Sequence, residues 1–299
     1  IGPYDELGLR IQGFIPVAGE SLAGVRCLGS MDQLEELLER ERINHIIISM
    51  DDRRGKLPVD RLLALKTRGI HVEDGTKTYE AITGRVALVT LRPSSLLLSD
   101  GFQASLIVLF YKRLCSLAFS VIGLVVSMPL MVLIAIAVRL DSPGPVLFHQ
   151  KRAGRQGKVF ELYKFRSMHE NSDAGTKPAE EEDKRFTRAG RWLRRTRLDE
   201  LPQLYNILAG DMDFIGPRPF SSEMEADLAN RIPYYTQRWN IKPGATGWAQ
   251  VQRGYCSSLQ DNIEKLSYDL FYIKNVSIGL DCLILFQTVK ILLLGRGAR

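Results

Sequence analysis

Asp199 and Glu200 stand side by side in Thr196-Arg-Leu-Asp-Glu-Leu-Pro-Gln-Leu-Tyr-Asn-Ile-Leu208. Proline is tolerated only in the first turn of a helix, so Pro202 places a helix start close to Asp199. Two carboxylates at a helix start are held ionised by the helix dipole and free amides, and the same end suits anionic phosphate. An ionised Asp can attack phosphorus, as aspartyl-phosphate enzymes do. A neighbouring Glu can hold Mg²⁺, a hard cation that takes carboxylate and phosphate oxygens. Plain helix capping by Asp199 would use the same residue types, so the pair alone does not separate the two readings.

Cations elsewhere favour the chemical reading. Pro217-Arg218-Pro219 fixes Arg218 between two restricted backbone angles. Lys164 and Arg166 lie in Lys164-Phe-Arg-Ser-Met168, and Arg152 in Gln150-Lys-Arg-Ala-Gly154. Arg forks match phosphate oxygens, whereas Lys acts as a point charge. Each alone also reads as a surface charge. Asp211-Met-Asp213 is a weak Asp-x-Asp metal motif.

These residues need elements to hold them. Residues 1–100 alternate short apolar strands with amphipathic helices: strands over 10–17, 44–50 and 70–73, helices over 31–42 and 58–68, the second ended by Gly69. Ser30 and Gln33 form a capping box for the first helix. This β-α-β-α-β order predicts a doubly wound α/β domain with a parallel sheet. No glycine-rich phosphate turn follows its first strand. A regulatory or dimerising module is the plainer reading of it.

Residues 101–113 form a connector. Residues 114–138 then run 25 positions without a charge, a membrane-helix candidate. Ser127 and Pro129 interrupt it midway. Lys112 and Arg113 precede it and Arg139 follows, so the positive-inside rule gives no direction. A re-entrant helix that bends near Pro129 and returns to the same face satisfies both facts. Residues 141–299 are polar, with an acidic run over 180–183 and seven cations between 184 and 197 around Trp192 and Leu193. Residues 276–294 are apolar but carry Asp281 and Lys290, which reads as an amphipathic helix packed on the membrane or the domain.

Composition sets the outer limits. The 299 residues are 45% apolar, which excludes wholesale disorder. The net charge of +6 is too small to argue for nucleic acid, and no nucleic-acid partner is expected. A membrane surface or a phosphorylated substrate fits as well. A mean hydropathy close to neutral excludes a chain built mostly of membrane spans. The four cysteines, at 27, 115, 256 and 282, form no metal-ligand spacing and read as small buried apolar residues in a reducing compartment. The chain opens on Ile1 without a signal peptide, and its first residues read as the interior of a longer protein.

The region from about 110 to 299 resembles the bacterial sugar transferase family, the monotopic polyprenyl-phosphate phosphoglycosyltransferases. The matching stretches are Asp141-Ser-Pro-Gly-Pro-Val-Leu-Phe148, Lys164-Phe-Arg-Ser-Met168, Leu198-Asp-Glu-Leu-Pro-Gln-Leu204, Asn206-Ile-Leu, Gly210-Asp-Met212, Gly216-Pro-Arg-Pro219 and Lys242-Pro-Gly-Ala-Thr-Gly-Trp-Ala-Gln250. The resemblance implies a partial Rossmann-like α/β domain over 1–100, as precedes the module in long members, then a re-entrant membrane helix over 114–140. A mainly α-helical α+β catalytic domain over 141–299 follows. It implies Asp199 as nucleophile, Glu200 as the residue that positions Mg²⁺, and Arg152, Lys164, Arg166 and Arg218 as substrate-binding cations. Asp213 falls where many members carry Ser, which weakens a metal role for it. The implied partners are a nucleotide sugar, polyprenyl phosphate, membrane phospholipid and a second copy of the chain. The implied location is the cytoplasmic face of the bacterial inner membrane. A metal-dependent glycosyltransferase that releases UDP, and a non-catalytic membrane scaffold, are the competing classes.

Overall fold

The computed structural model describes residues 10–16, 24, 26–50, 57–88, 101–102, 104–170, 185–253 and 258–294. The chain forms two units, Ile1–Leu97 and Leu98–Arg299.

In the first unit, Leu34, Leu37 and Leu38 recur at helical spacing and bury one face of α1 (Leu34–Arg40). Strand β1 (His45–Ile48), helix α2 (Val59–Thr67) and strand β2 (His71–Asp74) follow. The strands pair in parallel, with His45 opposite His71, so the chain crosses over through α2. Leu34, Leu38, Leu62 and Leu65 make the core. Asp74 caps α3 (Gly75–Thr83) by accepting from the Thr76 amide.

The described residues thus show one βαβ unit, and the wider Rossmann-like arrangement is not reached. Residues 10–16 carry a single bridge, Phe14 to Cys27, instead of a strand. Ile15 packs against the leucine core, but Ile11 is 51% exposed, so only part of the segment is held against the unit. The capping box at Ser30 does not form: its side chain accepts no bond, and the chain winds a tight 3₁₀ turn over Met31–Gln33 before α1.

The second unit opens with α4 (Leu106–Asp141), an unbroken 36-residue helix that starts eight residues before the expected segment and takes in most of the expected connector. It is long and apolar enough to cross a membrane. Lys112, Ser116, Ser120, Ile134 and Val138 lie on one stripe and are buried, while Val125, Val126, Met128 and Leu133 face outward. Midway, the Ser127 hydroxyl donates to the Gly123 carbonyl at 2.6 Å, two residues before Pro129.

Strands β3 (Leu147–Ala153) and β4 (Val159–Phe165) form an antiparallel hairpin. Helix α5 (Arg188–Thr196) turns Leu193 into a core with Ile134, Val138 and Phe165 and leaves Trp192 exposed. Helix α6 (Gln203–Ala209) packs Ile207 against Leu162 and Met212. Strand β5 (Asp213–Ile215) runs parallel to β6 (Gly244–Thr246). A side chain on Gly244 would lie 2.0 Å from the Gly216 amide, so only glycine lets these backbones meet. Helices α7 (Ser222–Arg231), α8 (Trp248–Gln252), α9 (Leu259–Lys274) and α10 (Ile278–Leu293) complete the unit.

Helix α10 buries Ile284 and exposes Phe286, Val289 and Leu292, while Asp281 reaches the Lys112 ammonium at 3.3 Å. Cys27, Cys115 and Cys282 are exposed, against the expectation of burial, the last two because they lie on outward faces of α4 and α10. Cys256 and residues 180–184 lie outside the described residues.

Candidate active site

Asp199 and Glu200 sit on a 3₁₀ turn, Leu198–Glu200, wedged between α5 and α6. Arg197 makes the wedge by adopting a left-handed conformation, φ 57°, that closes α5 and reverses the chain. Pro202 flanks α6, which begins at Gln203, so the pair precedes the helix and does not open it. The dipole of a seven-residue helix is a weaker influence here than the cations around the pair.

The Lys164 ammonium donates to Glu200 Oε1 at 2.8 Å, and Arg218 Nη2 donates to the same oxygen at 2.6 Å. Burial pushes the Glu200 carboxyl up, but Arg218 and Lys164 outweigh it and hold it well below the usual carboxylate range. Asp199 is buried, 8% exposed, and burial raises its carboxyl despite the opposing charge of Lys164. Adjacent carboxylates in different surroundings therefore separate: Glu200 is locked as an anion, and Asp199 is the more basic partner.

Lys164 lies near the end of β4. Asn206, fully buried on α6, staples that strand in place: its amide nitrogen donates to Glu161 O at 2.7 Å and its oxygen accepts from the Tyr163 amide at 3.0 Å. Arg152 on β3 donates to Pro219 O at 3.0 Å and to Gln150 Oε1 at 2.6 Å, while its Nε is buried without a partner. Burial and the neighbouring Arg218 push Arg152 down to about 10. A small cavity opens among Arg152, Lys164, Gln203 and Arg218. Three cations converging on one cavity give it the charge that a phosphate-bearing ligand would need.

The sequence-predicted residues do not all assemble. Arg152, Lys164, Asp199, Glu200 and Arg218 come together. Arg166 donates from Nη2 to the Ser142 carbonyl at 2.7 Å and hydroxyl at 2.9 Å, tying β4 to the end of α4. Ser127 and Pro129 lie in the middle of α4. Asp211 accepts from Asn206, and Asp213 faces Lys112, Lys242 and Arg113, so the Asp-x-Asp pair answers to charges other than those on Glu200. Among the described residues no cluster of three or more His, Cys, Asp or Glu could hold a metal ion. Mg²⁺ needs only one or two carboxylates when substrate phosphates and water fill its other positions. Sequence reasoning missed Gln203, Asn206 and the charged residues behind Arg218. Gln203 and Asn206 stood inside matching motifs without a role; the charged residues behind Arg218 carried no local pattern.

A family model described as bacterial sugar transferase matches residues 107–295, and the chain belongs to that family. A UDP-N-acetylgalactosamine-undecaprenyl-phosphate N-acetylgalactosaminephosphotransferase of Aeromonas hydrophila is 42% identical over 221 residues, 74% of this chain and 52% of that protein. A UDP-glucose:undecaprenyl-phosphate glucose-1-phosphate transferase of Xanthomonas campestris pv. campestris is 35% identical over 284 residues, 90% of this chain and 57% of that protein. Another of that name, from Caulobacter vibrioides, is 38% identical over 209 residues, 69% of this chain and 76% of that protein. The chain thus spans little more than half the length of the first two relatives.

Proposed function

We propose that this protein transfers a sugar 1-phosphate from a UDP-sugar to a polyprenyl phosphate, releasing UMP and starting a membrane-linked polysaccharide. The observation that carries the reading is the Asp199–Glu200 pair, with one carboxylate clamped by Lys164 and Arg218 beside a cavity lined by cations. An Asp199 oxygen attacks the phosphorus that bears the sugar. The bond from that phosphorus to the bridging oxygen breaks, and UMP leaves with the electron pair. A phosphate oxygen of the polyprenyl phosphate then attacks the aspartyl phosphosugar, forming the diphosphate-linked lipid and restoring Asp199. Arg152, Lys164 and Arg218 offset the charge that gathers on the leaving phosphate. Glu200, held ionised, is the residue to hold Mg²⁺, which when bound neutralises diphosphate charge.

One substrate is soluble and the other lies in a leaflet, so the site belongs at the membrane surface. A re-entrant path for α4 is part of the proposal: the helix is continuous through Pro129, so the turn is a bend within it and not a break. A straight 36-residue helix is about 54 Å long, against a hydrocarbon core of about 30 Å. Both ends bond to the same unit: Lys112 donates to Ile215 O, and Val138 and Ser142 receive Arg166. The Ser127-to-Gly123 bond and the amide missing at Pro129 are the features that bend helices. The catalytic unit then lies on the cytoplasmic face of the inner membrane, where nucleotide sugars are found. A homodimer is part of the proposal, and a monomer mass in native-like lipid particles would contradict it. Relatives named for N-acetylgalactosamine and for glucose leave the sugar open.

The test is to incubate the protein with a panel of UDP-sugars, Mg²⁺ and undecaprenyl phosphate, and to assay UMP and UDP separately. Lipid-dependent UMP from one donor supports the proposal. UDP would move the chemistry to glycosyl transfer and remove Asp199 from its role. Neither product from any donor would leave two options, a sugar outside the panel or a need for parts of the longer relatives that this chain does not span.

A further inference from the structure

Arg238 lies in the 3₁₀ segment Tyr235–Asn240, away from every motif singled out in the sequence, and is only 4% exposed. Its Nε donates to Asp269 Oδ2 of α9 at 2.8 Å. Its Nη1 donates to Glu225 Oε1 of α7 at 3.0 Å and to the Tyr235 hydroxyl at 2.6 Å. Its Nη2 donates to the backbone carbonyl of Arg218 at 2.9 Å. The guanidinium stacks 5.0 Å from the Phe220 and Tyr235 ring centres. Three charged groups have been taken out of water, at a cost of several kcal/mol per ion. Apolar residues of similar volume fill such space as well or better, so bulk stability is a poor reason for this arrangement.

What the buried fork touches gives a better reason. The Arg218–Ser221 backbone is tied from several sides. Arg238 holds the Arg218 carbonyl, Arg152 holds the Pro219 carbonyl, and Glu225 Oε1 accepts the Phe220 amide at 3.2 Å. Pro219 restricts the backbone of Arg218 itself, and Pro217 fixes its own φ just before it. The Arg218 side chain is thereby delivered onto Glu200 at 2.6 Å.

We infer that Arg238, held by Asp269 and Glu225, is a positioning residue that sets where Arg218 meets Glu200 and the phosphate-bearing substrate. The inference deepens the proposed function and rests on that reading of the Asp199–Glu200 site. Only a planar fork can reach two carboxylates on two helices and a carbonyl together; a Lys at 238 keeps the charge and loses that reach. The acting group is Arg218, so the effect of Arg238 must pass through it.

A double-mutant cycle tests this. Arg238→Lys is made in the natural sequence and in Arg218→Lys, and lipid-dependent UMP release is followed. In the natural sequence kcat/KM falls by about 10-fold to 100-fold, as for groups that orient a contacting residue. In Arg218→Lys the same change costs no more than about twofold, because the residue it positions is already lost. Tyr235→Phe removes one bond to the guanidinium at nearly constant volume. It gives a smaller loss that also disappears in Arg218→Lys, and it decides the matter alone if Arg238→Lys does not fold. Equal losses in both backgrounds, or full activity in Arg238→Lys, would overturn the inference. So would a structure of either variant in which Arg218 still sits on Glu200. That last readout needs no activity, so failure of the inference is distinguishable from a natural protein that releases no UMP.

Discussion

The two units of this chain spend their charges differently. Among the described residues of Ile1–Leu97, ion pairs such as Arg61 with Asp32 and Arg68 with Glu35 lie near the surface, Glu80 is the one buried charge, and a small leucine core holds the elements together. In Leu98–Arg299 the charged side chains of Lys112, Arg166, Asp199, Asp213, Glu225, Arg238 and Asp269 are buried. Surface pairs contribute about 0–1 kcal/mol, whereas a buried charge stripped of its partner costs about 3–5 kcal/mol. The first unit is therefore built as a fold. The second maintains expensive electrostatics where a reaction or a membrane element needs them.

Four substitutions can break or sharpen that contrast. The largest effect belongs to Asp199→Asn, which removes the proposed nucleophile at almost constant shape. Lipid-dependent UMP release falls by at least about 10³-fold, with circular dichroism unchanged. Chelating the metal from the natural protein abolishes release, and added Mg²⁺ restores it. Retained activity in Asp199→Asn would sink the two-step scheme.

Next comes Lys112→Met. It takes the cation from Asp281, whose side chain is 14% exposed, and removes the Lys112 bond to the Ile215 carbonyl at the start of α4. The loss expected is about 3–5 kcal/mol for the second unit, read by thermal unfolding in lipid particles. An unchanged melting temperature would mean that this end of α4 is not held by its ion pair. A cavity in the first unit is a smaller loss. Leu65→Ala costs that unit about 2–5 kcal/mol and reduces protease resistance of residues 1–97. Sugar transfer per folded molecule stays within about twofold, since none of the site residues lies there. A large fall in transfer would erase the distinction between a fold unit and a chemical unit. The smallest effect is Ser30→Ala, within about 0.5 kcal/mol, because the Ser30 side chain caps nothing. A loss above about 1 kcal/mol would restore the capping box that the motif suggested.

Sequence determined a good part of this protein. The uncharged run and its length dictate one long apolar helix, because burying or lipidating such a face leaves few alternatives. The apolar spacing of α1, α2, β1 and β2 is a local property, and those elements formed. The adjacency of Asp199 and Glu200 is covalent, and the shared motifs carry family membership without any coordinates. Tertiary structure decided what the charges do. Arg166 reads like Lys164 along the chain, yet one fork closes on Ser142 and the other cation on Glu200. Arg238 has no signature, because its partners Glu225 and Asp269 lie 13 and 31 residues away. Asp199 rises and Glu200 falls for the same reason: a carboxyl's ionisation depends on burial and on which cations the fold brings within reach, and neither is written in its neighbours along the chain.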